Sequence, residues 1–213
     1  MRARSPEFPH PAGVASWVGR LFRGRRGVVH RAPELLRRAC ALPVASLYRA
    51  SEGWVMQRTP FCCGPTTLVN VAHSLGDGTA TLETVLSASQ PVVQLSMRGM
   101  TLDALAVLAR FTLRGKVTVL RDLTSAQFCA HLRLFNSTHH RYTINFVRWP
   151  LFHCGRTHHS PIGGYLERED LVLILDVNPL FGPWLVSPAR LYEAMNSIDE
   201  DCGLRRGMLR IEV

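Results

Sequence analysis

The stretch HHSPIGGYLEREDLVLILDV, residues 158–177, holds two apolar runs separated by the charged cluster from Glu167 to Asp170. Apolar runs on either side of a polar turn are typical of an antiparallel β-hairpin. Residues that face one another across a hairpin are equidistant from its turn, and a centre near residue 167 places His158 opposite Asp176. The sequence therefore predicts these two side chains on one face, with Cβ atoms about 4.5 to 5.5 Å apart.

Helical patterns precede this hairpin, and further strand-like runs flank it. Apolar residues at helical spacing predict a helix over 64–76, a second over 101–110 with Thr101 as its N-cap, and a third over 124–135. Strand-like runs cover 116–120, 142–148, 158–166, 171–177 and 208–213, with a helix over 188–196 before the last. Helices first and clustered strands afterwards predict an α+β domain with an antiparallel sheet.

Length and charge divide the chain of 213 residues into two parts. Residues 1–49 are rich in arginine and predict a poorly ordered extension, whereas residues 50–213 have the size and composition of one globular domain. The extension is either a solvated segment or a contact for nucleic acid or another anionic surface. The longest apolar run, 104–109, is far shorter than the roughly 20 residues of a membrane span, so we expect a soluble protein.

Six cysteines are present, but no signal sequence opens the chain, which favours a reducing, cytoplasmic location. No zinc, P-loop or Rossmann motif occurs. The histidines at 139, 140, 153, 158 and 159 with Cys154 match no standard tetrahedral metal site, and no metal site is predicted.

Cys63 lies where the first predicted helix begins. A helix N-terminus and an imidazolium partner both lower the pKa of a thiol, which makes it a nucleophile. His158 is placed to take its proton, and Asp176 to orient the histidine ring, which gives a Cys-His-Asp arrangement. Gln57 is a candidate for an oxyanion donor, together with the backbone N–H of Cys63. The alternative is that the cysteine is a small buried apolar residue and the histidine is structural.

Six motifs of the chain occur in the same order in one known family. They are QRTPFCCG at residues 57–64, GMTL at 99–102, HHSPIGGY at 158–165, LILDV at 173–177, EAMNSID at 193–199 and RRG at 205–207. Together they resemble the catalytic domain of phytochelatin synthases over residues 50–213. The resemblance implies a papain-like cysteine protease fold.

The resemblance also implies a thiol enzyme that cleaves the Cys–Gly bond of glutathione through a γ-glutamylcysteinyl thioester. The acyl group then passes to water, or to a second glutathione in the synthesis of a metal-chelating peptide. By position, Cys63 matches the nucleophile of the family, His158 its base, Asp176 its orienting acid and Gln57 its oxyanion residue.

Other family positions lie near the substrate. Asp199 and Arg206 match residues close to the substrate site, and Cys62 and Gly64 flank the nucleophile. No cofactor is expected, because cadmium or zinc would enter as the metal–thiolate form of glutathione.

The chain departs from the family at three substrate-facing positions. Thr59 stands where members have an acidic residue, Cys62 where they have an aromatic one, and Pro179 where they have an arginine. The resemblance does not include the cysteine-rich second domain of plant members, so we expect the short prokaryotic type, in which hydrolysis outruns chain extension.

Two other functions compete with this one. The first is a papain-like peptidase or isopeptidase that acts on a protein, with the arginine-rich extension as a docking element. The second is non-enzymatic binding of a metal by the histidines, or of nucleic acid by the extension. The sequence leaves the oligomeric state open, a homodimer included.

Overall fold

The computed structural model describes residues 28–51, 53–88 and 99–213. Its helices are α1 (Pro33–Ala39), α2 (Pro43–Ala50), α3 (Cys63–Ser74), α4 (Leu82–Ser87), α5 (Leu102–Thr112), α6 (Ser125–His131), the 3-10 helix Arg133–Asn136, α7 (Trp149–Phe152) and α8 (Pro188–Met195). Its strands are β1 (Val29–His30), β2 (Lys116–Arg121), β3 (His140–Val147), β4 (Thr157–Leu166), β5 (Leu171–Ile174), β6 (Trp184–Val186) and β7 (Gly207–Glu212).

The strands of the described residues form one seven-stranded sheet in the order β1-β6-β5-β4-β3-β7-β2. Every neighbouring pair is antiparallel. The predicted α+β class and antiparallel sheet are confirmed. The short strand β6, the helix α4 and the helices before residue 51 were not predicted.

Both faces of the sheet are covered by apolar side chains. Strand β5 shows the alternation: Leu171 and Leu173 belong to the core against α1 to α5, whereas Val172 and Ile174 belong to the core on the opposite face. Successive side chains of a strand point to opposite faces, so one strand contributes to both cores.

Residues 33–50 belong to the domain, which corrects the boundary expected at residue 50. They form α1 and α2, whose residues Ala39, Ala45 and Tyr48 are fully buried. Leu42, which links α1 to α2, packs closely against strand β4. A Cβ atom added at Gly164 of β4 would collide with the Leu42 side chain. Arg37 and Arg38 lie on the exposed side of α1, whereas Ala39 faces the core. The expectation of disorder for residues 1–27 lies outside the described residues.

Helix α3 is buried on every side, whereas the sequence predicted a helix with one apolar face. All twelve of its residues are buried. Gly76 follows it with φ of +90°, a conformation that suits glycine at a helix end. Helix α5 carries the predicted cap, because the Thr101 side chain accepts a hydrogen bond from Ala104 N. The catalytic candidate Cys63 therefore stands on an element that is enclosed by the rest of the domain.

Candidate active site

Cys63 is the first residue of α3, directly after the N-cap Cys62. Its side chain is buried, and its sulfur accepts hydrogen bonds from the backbone N–H groups of His159 and Gly64. Burial raises the pKa of the Cys63 thiol, and these hydrogen bonds and the charge of Arg148 oppose the rise. The expected lowering of the pKa is absent from the resting structure, because removal from water outweighs the helix N-terminus.

Gly64 allows α3 to approach its neighbours. An added Cβ atom would lie 3.2 Å from Leu105 Cδ1 and 3.7 Å from His159 Cδ2. The residue was predicted to contact substrate. In the structure it is buried, and it serves the site through close packing and through its N–H group on the thiol.

His158 lies near the beginning of β4, on the face opposite to the core of α3. Its Nε2 atom lies 2.9 Å from Asp176 Oδ1, and its ring meets the Phe146 ring edge-on with centroids 5.7 Å apart. Burial lowers the pKa of His158 to about 4; the charge of Arg148 adds to this, and Asp176 opposes it. Because Nε2 is the ring nitrogen next to Asp176, Nδ1 is the one left to accept a proton.

The predicted hairpin register is wrong, although the two side chains do meet. Leu166 pairs with Leu171, Ile162 pairs with Ile174, and the register shifts between Ile162 and Gly164. Strand β5 ends at Ile174, so Asp176 lies beyond the ladder and has no directly opposed partner. A bulge adds one residue to one strand, and the sequence offered no signal for it beyond a pair of glycines.

Asp176 is surrounded by donors. Its Oδ1 atom accepts from Arg148 Nη2 at 2.8 Å and from Asn178 N at 2.9 Å, and its Oδ2 atom accepts from Trp184 Nε1 at 2.9 Å. Burial by itself would raise the pKa of this carboxyl group. Arg148 and then His158 outweigh burial and hold the pKa far below its usual range.

Arg148 is the main residue of the site that the sequence reasoning missed. Its Nη1 atom also lies 2.8 Å from Asp176 Oδ2, and the side chains are 4% and 0% exposed. Its guanidinium group stacks on Phe181, 3.8 Å from the ring centroid. Arg148 directly follows β3 and lies two residues after Phe146, which pairs with His158.

Gln57 lies in the segment before α3 and is 8% exposed. Its backbone N–H donates to Val177 O at 2.8 Å, which joins this segment to the chain just after Asp176. Its side-chain Nε2 donates to Thr59 O at 3.2 Å, and its Oε1 has no hydrogen-bond partner among the described residues. The structure therefore brings Gln57 to the site while its amide is turned toward its own loop.

Comparison with known proteins adds the family. A model of the family described as phytochelatin synthase matches residues 28–208. The chain belongs to the phytochelatin synthase family. It is 32% identical over 168 residues to glutathione gamma-glutamylcysteinyltransferase 3 of Lotus japonicus, covering 73% of this chain and 35% of that protein. It is 27% identical over 177 residues to glutathione gamma-glutamylcysteinyltransferase of Schizosaccharomyces pombe, covering 78% of this chain and 43% of that protein.

The fold of this phytochelatin synthase family member is also found in a solved peptidase domain. The structure matches the peptidase domain of Streptococcus ComA, a bi-functional ABC transporter of a quorum-sensing pathway, with a TM-score of 0.51. The match covers 74% of this chain and 94% of that domain at 16% sequence identity. The likeness confirms the papain-like cysteine protease fold. The chain spans between about a quarter and two fifths of the length of the curated family relatives named here and of a wheat enzyme of the same name.

Two of the three residues that depart from the family pattern, Thr59 and Cys62, contact one another. The Thr59 hydroxyl donates to Cys62 Sγ at 3.0 Å, and the Cys62 side chain is partly exposed. The third departure, Pro179, lies in the loop between Asn178, which donates to Asp176, and Phe181, which stacks on Arg148. All three departures therefore adjoin the catalytic candidates.

Asp199 and Arg206 come together beside the beginning of β4. Arg206 Nη2 donates to Thr157 Oγ1 at 2.6 Å and lies 3.5 Å from Asp199 Oδ1, and Nη1 donates to Ser197 Oγ at 3.2 Å. Both charged side chains are buried. Because Thr157 precedes His158, this pair lies next to the proposed base.

His159 takes the opposite side of β4 from His158, as the alternation of a strand predicts. Its Nε2 atom lies 2.8 Å from Met100 O and 2.6 Å from Asn145 Nδ2, and burial lowers its pKa to about 4. Thr67 of α3 donates to its backbone oxygen at 3.2 Å. His159 thus fastens the catalytic helix to the strand that carries His158.

Within the described ranges, no group of three or more His, Cys, Asp or Glu side chains is arranged to hold a metal ion. None of the helices in the described part of the chain is long and apolar enough to cross a membrane.

Proposed function

We propose that this chain cleaves the Cys–Gly bond of glutathione and transfers the γ-glutamylcysteinyl group to water or to a second glutathione. The observation that carries the proposal is the buried Cys63 thiol at the start of α3, which is joined to strand β4. Strand β4 carries His158, and the His158 ring lies 2.9 Å from its partner Asp176. The curated relatives named glutathione gamma-glutamylcysteinyltransferases support the choice of substrate.

In the first step, His158 Nδ1 accepts the thiol proton while Cys63 Sγ attacks the carbonyl carbon of the Cys–Gly bond. The C–N bond then breaks, and the imidazolium returns the proton to the leaving amino group of glycine. The product is free glycine and a γ-glutamylcysteinyl thioester on Cys63. Asp176 keeps the histidine ring in the tautomer that carries its proton on Nε2.

In the second step, a water molecule or the α-amino group of another glutathione attacks the thioester. His158 accepts a proton from the attacking group, the C–S bond breaks, and the thiol is restored. The backbone N–H of Cys63 and the side-chain amide of Gln57 are the proposed oxyanion donors. Because the amide now donates to Thr59 O, it must turn away from its loop as the oxyanion forms.

Arg206 is the proposed cation for a carboxylate of glutathione. Its Nε atom is buried without a hydrogen-bond partner among the described residues, although its other nitrogens hold Thr157 and Ser197. Asp199 Oδ1 lies 3.5 Å from Nη2 and pairs with the guanidinium group. A charge-assisted contact of this kind favours a carboxylate over a neutral group. Cadmium or zinc enters this proposal as a metal–thiolate complex of the substrate.

A cytoplasmic location is part of the proposal, because the nucleophile must remain a reduced thiol. All six cysteines are free in the structure, and the two on the nucleophile's own turn, Cys62 and Cys63, do not form a disulfide.

Incubation of the chain with glutathione, with and without cadmium, tests the function. Mass spectrometry should find glycine and γ-glutamylcysteine as main products, with the longer γ-glutamylcysteinyl peptides as minor ones. Cys63→Ser is the matched variant and should release no glycine. Cleavage of a protein substrate with glutathione left intact would replace the proposal by the peptidase alternative.

A further inference from the structure

The peptide group between Arg205 and Arg206 is held on both sides. Its carbonyl oxygen accepts a hydrogen bond from Arg121 Nε at 2.7 Å, and its N–H donates to Ser197 O at 2.9 Å. This peptide group closes the hairpin of residues 197–206, and the Arg206 side chain leaves the backbone directly after it. The two hydrogen bonds therefore fix the point from which the proposed carboxylate-binding side chain extends.

Most other contacts of Arg206 lie within its own hairpin. Nη1 donates to Ser197 Oγ and Nη2 pairs with Asp199, while Thr157 of β4 accepts from Nη2 at the end of the side chain. Contacts within the hairpin move with it, so they do not fix the hairpin relative to the sheet. Arg121 does so, because it is the last residue of β2 and reaches the hairpin backbone.

Arg121 uses all three nitrogens of its guanidinium group. While Nε donates to Arg205 O, Nη1 and Nη2 donate to Asp103 Oδ1 and Oδ2 at 3.2 and 2.9 Å. A bidentate pairing of this kind fixes the orientation of a guanidinium group as well as its position. Asp103 therefore holds Arg121 in the orientation that presents Nε to the Arg205 carbonyl group.

The start of α5 joins this ion pair to the nucleophile's side of the site. Asp103 lies in the first turn of α5, three residues after Met100. Met100 O lies 2.8 Å from Nε2 of His159, and the His159 backbone N–H donates to the Cys63 sulfur. One short segment therefore connects the nucleophile with the guanidinium group of Arg121.

The close approach of β2 to β7 requires a glycine after Arg206. Gly207 is the register partner of Arg121, and a Cβ atom added there would collide with Leu120 O and lie 3.1 Å from Leu102 Cδ2. A side chain at this position would push β2 away and carry Arg121 from the hairpin. The GMTL and RRG motifs of the sequence thus lie against one another at this junction.

We propose that Arg121 is a positioning residue for substrate binding. Together with Asp103 it anchors the hairpin that carries Arg206, and so sets the direction in which the Arg206 guanidinium group meets a carboxylate of the substrate. Arg121 acts only through Arg206 in this scheme. The inference rests on the proposed role of Arg206, and it requires a substrate with a carboxylate group, of which glutathione is one.

Steady-state kinetics of Arg121→Met test the proposal, because the variant removes all three donors and keeps an unbranched side chain. KM for glutathione should rise about tenfold with kcat within about twofold of the parent, since binding is weakened and the chemistry is unchanged. Asp103→Asn should show the same change to a smaller extent, and it replaces Arg121→Met if that variant does not fold. A fall in kcat with an unchanged KM would overturn the proposal.

Arg190→Met is the matched control. It removes an exposed arginine that pairs with Glu193 at 2.8 Å on α8, away from the hairpin in the sequence. Both kinetic constants should stay at the parent values. An equal rise of KM in Arg190→Met and Arg121→Met would show that the loss of any arginine weakens binding, and would overturn the specific role of Arg121.

A double-mutant cycle separates positioning from a general structural role. In an Arg206→Gln background, Arg121→Met should raise KM hardly further, because the group that it positions has been removed. Equal increases of KM in the parent and in the Arg206→Gln background would mean that Arg121 acts independently of Arg206, which contradicts the proposal.

Residue-resolved hydrogen exchange tests the same contact without substrate. In Arg121→Met the amide of Arg206 should exchange about tenfold faster, because its hydrogen bond to Ser197 O opens more often. The amide of Leu75, which donates to Val71 O in α3, should keep its rate. Unchanged exchange at Arg206 overturns the proposal whatever the substrate is. Faster exchange in a chain that does not turn over glutathione would keep the anchoring role of Arg121 and reject the proposed substrate.

Discussion

The side chain of Asn70 hydrogen bonds to both backbone polar groups of Val55. Asn70 Nδ2 donates to Val55 O at 2.8 Å, and Val55 N donates to Asn70 Oδ1 at 2.9 Å. Asn70 lies on α3, two turns after Cys63, and Val55 lies two residues before Gln57. One buried amide therefore fixes the distance between the helix of the nucleophile and the segment of the proposed oxyanion donor.

Asn70→Leu should lower both stability and turnover. The variant leaves two backbone groups of Val55 without partners, at a cost of about 2 kcal/mol in the free energy of unfolding. Because Gln57 then moves relative to Cys63, kcat should fall about tenfold with little change in KM. Denaturant unfolding and steady-state kinetics measure the two effects.

Thr112→Val is the matched control for Asn70. It removes a side-chain hydrogen bond to Leu108 O at 2.9 Å, far along the chain from the site. This variant should lose some stability and keep its kcat. A kcat that falls equally in both variants would mean that Asn70 has only a general structural role.

The two adjacent thiols should differ sharply in function. Cys63→Ser should abolish thioester formation, because the hydroxyl oxygen at that position is a far weaker nucleophile. Cys62→Ser should keep most of the turnover with a changed KM, since this partly exposed side chain contacts Thr59 instead of the base. Mass spectrometry of the acyl-enzyme decides the matter, and a substrate-derived thioester on Cys62 would contradict the assignment.

His158 and Asp176 should act as a unit. Each of His158→Ala and Asp176→Ala should reduce kcat by about three orders of magnitude, and the double variant should be hardly worse than either. Additive losses in a double-mutant cycle would show that the 2.9 Å contact between the two side chains has no catalytic consequence.

Stability should fall as the solution becomes acidic. His158 and His159 ordinarily titrate near 6.5, and burial lowers both values to about 4 in the folded state. Between these values the unfolded chain binds protons that the folded chain does not, so the free energy of unfolding decreases as pH falls from 6.5 to 4. Each histidine contributes about 3 kcal/mol to this loss. Asp176, whose pKa is also lowered, adds a further loss only below its usual range near 3.8.

His159→Gln provides the control for the pH effect. The amide still reaches toward Met100 O but does not titrate, so about half of the stability loss between pH 6.5 and 4 should disappear. Urea unfolding at several pH values measures this slope. A slope equal to that of the parent chain would show that His159 is protonated as readily when folded as when unfolded.

The class of fold and the meeting of His158 with Asp176 could be predicted from short-range patterns. Strand-like runs predicted the strands, and helical spacing with Thr101 predicted α5. The turn at residues 167–170 placed His158 and Asp176 in the same region. The exact register could not be predicted, because the bulge between Ile162 and Gly164 depends on tertiary packing. His158 and Asp176 still meet, because their side chains are long enough to span a register shift of two residues.

The rest of the site depends on contacts between distant segments. Arg148 and Trp184 are 28 and 8 residues from Asp176, and nothing local to either residue indicates the carboxylate. The boundary near residue 50 was misjudged for a related reason. Arginine content suggested an exposed segment, but Ala39 of α1 and Tyr48 of α2 are fully buried in the core. The raised thiol pKa follows from enclosure by the whole domain, which no motif encodes.

Because side chains along β5 alternate between the two faces of the sheet, both cores share that strand. The candidate active site takes residues from both faces. Cys63 begins a helix whose apolar residues belong to one core, whereas Trp184 belongs to the other, where His158 and Arg148 contact Phe146. Neither core can unfold alone, because the strands that it would lose also contribute side chains to the other core. The domain should therefore unfold in one cooperative transition. During refolding, reactivity at Cys63 should consequently return only in the final phase, as a reporter of global assembly.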